Sequence, residues 1–77
     1  MNKAKRKSIS QMVEKMQEIA LELDYLLEDE RDAYESVSEH FPESERAEKL
    51  SESVDALEEA QDQLGEIITR LQGLIEQ

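Results

Sequence analysis

One proline, Pro42, stands almost at the middle of the 77 residues, and on either side of it apolar residues recur at heptad spacing. That arrangement limits the fold more than any other feature. Leucine, glutamate, alanine and other good helix formers dominate both halves. Both glycines, Gly65 and Gly73, lie far from the proline. Pro42 disfavours helical backbone at Phe41. Ser44 is a natural N-cap, and Glu45 and Glu48 suit the positive end of a second helix. The spacing therefore predicts two helices, at about 8–40 and 45–76, each about 50 Å long at 1.5 Å rise per residue. Helices joined by so short a connection are antiparallel neighbours. The expected fold class is all-α, an antiparallel helical hairpin over residues 8–77 behind a basic flexible tail at 1–7.

The heptads agree with the turn. In the first half Ile9, Met16, Leu23, Glu30 and Val37 fall at a, and Met12, Ile19, Leu26, Ala33 and His40 at d. Val13, Ala20, Leu27, Tyr34 and Phe41 occupy e. In the second half Ala47, Val54, Gln61, Ile68 and Ile75 fall at a, and Leu50, Leu57, Leu64 and Leu71 at d. Ala60, Ile67 and Leu74, with the weaker Ser53, add an apolar g column. Folding about the midpoint between Glu43 and Ser44 pairs residues whose numbers sum to 87. Val37 then meets Leu50, Leu23 meets Leu64, Ile19 meets Ile68 and Met12 meets Ile75, so every a faces a d. An a/d seam would leave the e column of helix 1 and the g column of helix 2 uncovered, one on each flank. Exposed stripes of that length signal association. A homodimeric four-helix bundle would cover them. The expected oligomer core is Met16, Ile19, Leu23, Leu26, Leu27, Leu57, Leu64, Ile67, Ile68 and Leu71.

Composition points the same way. A chain this short gains little net stability from burial, so such scaffolds lean on disulfides, metals or oligomerisation. Cysteine is absent, which removes disulfides and thiolate metal sites. Twenty acidic residues oppose nine basic ones, for a net charge of −11. Lys3, Lys5, Arg6 and Lys7 crowd the start, and with those four set aside the rest of the chain carries −15. Direct nucleic-acid binding is disfavoured by that charge. A partner protein with a basic or apolar surface is favoured. No run of apolar residues is long enough to span a membrane, and the basic start lacks the apolar stretch of a signal peptide. The reading is a cytoplasmic protein.

Several polar residues stand out. Glu30 and Gln61 occupy a positions about one turn apart in the 87 register. They are read as a polar core layer that fixes register and oligomer state, as the lining of a ligand pocket, or as simply solvent-exposed where a dimer leaves its middle open. Glu28, Asp29, Glu30, Arg31 and Asp32 form a charge run, in which Asp29, Arg31 and Asp32 are candidate partner contacts or simply a solvated face. Tyr25, at c, is a candidate anchor, since tyrosine is common in interface hot spots. His40, the one histidine, falls in the last turn of helix 1 and suits the helix dipole when charged. No Glu-x-x-His pair accompanies it, so no metal site is expected. The chain has no phosphate-binding glycine loop and no nucleophile motif. No catalytic residues and no cofactor are expected, and an enzyme is not the reading.

Three segments carry a resemblance: Met1-Asn2-Lys3-Ala4-Lys5-Arg6-Lys7, the turn Phe41-Pro42-Glu43-Ser44-Glu45-Arg46, and Ser53-Val54-Asp55-Ala56-Leu57-Glu58-Glu59-Ala60. The chain resembles short, acidic, two-helix proteins encoded by bacteriophages and mobile elements of Gram-positive bacteria. That resemblance implies a context in which small proteins regulate or inhibit host machinery, antiviral defence included. It assigns no activity and no site residues. The expected function is a self-associating interaction protein that binds a host or phage protein through acidic helical faces. The alternative is an inhibitor of antiviral defence, acting as a nucleic-acid mimic or as a sponge for a small signalling ligand.

Overall fold

The computed structural model describes all 77 residues and contains two helices, α1 (Lys3–His40) and α2 (Glu45–Ile75), packed along their length as an antiparallel hairpin. The molecule is a rod of 57 × 15 × 13 Å. Its length is that of α1 alone, since 38 residues at 1.5 Å each span about 57 Å.

Helix α1 begins at Lys3 rather than near residue 8, so the expected flexible basic tail is the first turns of the helix. The cause is a cap: the Asn2 side-chain oxygen accepts from the Lys5 N–H at 2.8 Å. Alanine, lysine and arginine, all good helix formers, follow it.

The break is built as the sequence requires. The Phe41 N–H makes the last bond of α1, to the Val37 carbonyl at 2.8 Å. Pro42 cannot donate a further one. Ser44 then accepts from the Ala47 N–H at 3.1 Å through its hydroxyl oxygen, and donates the hydroxyl proton to the Phe41 carbonyl at 2.9 Å. One serine thus caps α2 and ties it to the end of α1.

Two cross-helix contacts report the register. Gln61 donates to Asp24, and Arg31 Nη2 meets Glu58 Oε1 at 2.8 Å. The residue numbers of these pairs straddle the expected 87. Met12 is then level with Ile75, where α2 ends, so Lys3–Ser8 run past it.

The seam is rotated from the expected one. Along α1 the e residues Val13 and Leu27 are buried, Ala20 and Tyr34 half-buried, and the a residues half-buried. The d residues Met12, Ile19 and Leu26 are exposed. Along α2 the a column holds the buried Ala47 and Ile68, the d leucines are half-buried, and Ile67 and Ala60 at g are exposed. The reason lies in the rims. Turning α1 towards its b side brings Asp24 and Arg31 to Gln61 and Glu58 of α2. Turning it the other way would set Glu22 and Asp29, at g, against Ala60 and Ile67, which offer a carboxylate nothing.

Candidate functional site

The rotation decides where uncovered apolar surface lies. In an antiparallel pair the b and e positions of both helices share one side, and d and g share the other. The bridge between Arg31 at b and Glu58 at e marks the first side. The exposed d column of α1 and the exposed g column of α2 therefore lie together on the opposite side. The expected apolar stripes on both flanks are corrected to one continuous apolar face, with exposed Leu21 and Tyr25 standing apart from it on the Arg31 side. Its most exposed members are Met12, Ile19 and Leu26 of α1 and Ile67 of α2, at 48, 51, 56 and 46%. Half-buried Leu64, Leu71 and Leu74 fill the space between the columns.

Of the ten residues expected in an oligomer core, Leu27 and Ile68 are buried in the hairpin seam, and Met16, Leu23, Leu57, Leu64 and Leu71 are half-buried along it. Ile19, Leu26 and Ile67 are neither; they are the centre of the exposed face. Met12 belongs with them and was placed by the heptad at d.

Charge is segregated along α2. Its b and f positions carry Glu45, Glu48, Glu52, Asp55, Glu59, Asp62 and Glu66, all turned away from the apolar face. Its c positions, which border that face, are Lys49, Ala56, Gln63 and Arg70, with no acid among them. Along α1 the bordering g positions are Ser8, Lys15, Glu22, Asp29 and Ser36.

The expected polar layer takes a different form. Gln61 is half-buried and donates to Asp24 rather than to Glu30. Glu30 is half-buried on the same seam. Heptad reasoning missed Asp24, because b is an outer position until the helix turns. Tyr25, Arg31 and Gln61 line one shallow surface groove of about 290 Å³ with Leu21, Asp24 and Glu28. Asp29 and Asp32 lie outside it, exposed on other faces. His40 stacks edge-on against Phe41, with ring centroids 6.5 Å apart. No three histidine, aspartate or glutamate side chains converge in a metal-ligating arrangement. No helix is long and apolar enough to cross a membrane. No protein family, curated protein or solved structure matches this chain.

Proposed function

We propose that this chain is a non-enzymatic interaction protein that self-associates through its single apolar face and offers acidic outer faces to a partner with a cationic surface. The one-sided apolar face carries the reading. Four large apolar side chains about half exposed, lined up on one side of a rod, cost free energy in water unless something covers them. The area supports it. The chain exposes 6040 Å², about a quarter more than the roughly 4,800 Å² expected of a compact chain of 8.9 kDa. The excess, about 1,200 Å² on one chain, comes with the rod shape and is more than the roughly 800 Å² that each partner gives up in a standard interface.

Light scattering over a concentration series tests the reading. A mass near twice that of the chain is expected at micromolar concentration. A mass that stays at one chain throughout would refute self-association.

The density of carboxylates on the far side supports a second reading, inhibition of antiviral defence by imitation of a nucleic-acid backbone. Competition by DNA for the captured host protein, falling steeply with salt, is its signature. Capture that ignores both DNA and salt would end it.

A further inference from the structure

We propose that the apolar face is covered by a second copy of this chain, with α1 antiparallel to α1 and the twofold axis passing beside Ile19 and Ile67. The inference rests on the self-association reading and specifies its geometry.

The exposed face reads almost the same in both directions. Met12 and Leu26 stand seven residues on either side of Ile19. An antiparallel α1 pair centred there sets Ile19 against Ile19 and Met12 of each copy against Leu26 of the other. The hairpin register places Ile67 level with Ile19, so the same axis brings the two α2 helices together around Ile67. Leu64 then meets Leu71 of the other copy, and Ala60 meets Leu74.

Face-to-face packing of two hairpins allows one other twofold arrangement, with α1 of each copy over α2 of the other. It also covers the apolar columns, so charge must choose between the two. In that alternative both copies point the same way. Lys3, Lys5, Arg6 and Lys7, which overhang α2, would gather from both chains at one end of the bundle. Lys15 would lie close to Arg70 of the other copy. Like charges so placed repel.

In the antiparallel α1 arrangement the basic ends point in opposite directions. Each lies along the stretch of the other copy that carries Asp29, Asp32 and Glu35. Lys5, at d, faces that stretch directly, within reach of Asp29. Lys15 meets Glu22 of the other copy, twice by symmetry. The overhang of α1, which has no partner within the hairpin, thereby gains one of opposite charge.

The absence of cysteine makes the test clean. Ile19→Cys and Ile67→Cys are made as separate single variants of the full chain, confirmed as dimers by light scattering, and oxidised mildly. Each is expected to form a covalent dimer on its own. A mixture of Met12→Cys and Leu26→Cys chains, which leaves the central residues intact, is expected to cross-link as well. Charge gives an independent check. Lys15→Glu alone is expected to weaken the dimer several-fold, and Lys15→Glu combined with Glu22→Lys to restore it. In the alternative arrangement Lys15→Glu strengthens the dimer instead. An unmodified chain that stays monomeric would sink self-association and this geometry together. A dimer in which neither Ile19→Cys nor Ile67→Cys cross-links alone, whether or not their mixture does, overturns the geometry and leaves self-association standing.

Discussion

Leu26 and Leu27 are neighbours of identical chemistry, and the structure assigns them opposite consequences. Leu27 is 2% exposed and Leu26 56%. Truncating Leu27 to alanine removes a fully buried side chain from the seam, which costs about 2–5 kcal/mol in transfer and cavity terms. Truncating Leu26 removes a side chain less than half covered within the hairpin. A fully buried leucine contributes about 1.5–3 kcal/mol, so the loss there is about 1 kcal/mol. Urea unfolding followed by far-ultraviolet circular dichroism separates the two. With an m-value of about 1 kcal/mol per molar for a chain of this size, Leu27→Ala lowers the midpoint by at least 2 M and Leu26→Ala by about 1 M. Protein concentration adds a second axis. Self-association makes the midpoint rise with concentration, and Leu26→Ala should flatten that rise if the proposed interface holds. Leu27→Ala should shift the whole curve. Equal losses for the two variants under monomeric conditions would refute the rotated seam and restore an a/d interface. A larger loss for Leu26→Ala would do so more forcefully.

Other expected outcomes follow from single features. Ser44→Ala removes the cap of α2 and costs about 1 kcal/mol, read as a fall in the urea midpoint with m unchanged. Gly65→Ala and Gly73→Ala each stabilise by about 0.5–1 kcal/mol. Both glycines lie within α2 and an added methyl meets nothing within 4 Å, so a lower midpoint in either variant would contradict the helix there. The Arg31–Glu58 bridge is half exposed, so a double-mutant cycle through Arg31→Ala and Glu58→Ala should give a coupling of at most about 1 kcal/mol. A coupling well above that would mean the bridge is shielded from solvent, as a partner docked on that side would cause.

The hairpin itself was legible because three independent signals agreed: the lone Pro42, the Ser44 cap and two heptads in register about them. The start of α1 is hidden behind a run of lysines and arginine whose charge suggests a tail. Asn2 is the signal that could reveal it, since a cap is only as visible as the helix expected behind it. The rotation of α1 was hidden for a different reason. Three apolar columns on one helix are compatible with two seams, and apolarity does not choose between them. The choice is made by what lies one column further out: Asp24 and Arg31 on one side find polar partners, and Glu22 and Asp29 on the other would not. Those four residues were in plain view, but their partners are fixed only once the register is known. The same ambiguity hides from the sequence that Leu27, not Leu26, lines the seam of the single hairpin.

Because the contacts between α1 and α2 mirror one another about a single turn, their separation along the chain grows steadily from one end of the rod to the other. Val37 and Leu50 are brought together by closing a short loop, whereas Met12 and Ile75 require almost the whole chain. Closure entropy rises by about 0.6 kcal/mol for each doubling of the loop. Formation that begins beside Ser44 and zips outwards meets the smallest obstacle at each step. Hydrogen-bonded amides within the helices should accordingly exchange more slowly on the side of the turn than towards Lys3 and Ile75. In that order the turn commits the chain early, and the segment carrying Met12 is the last to settle.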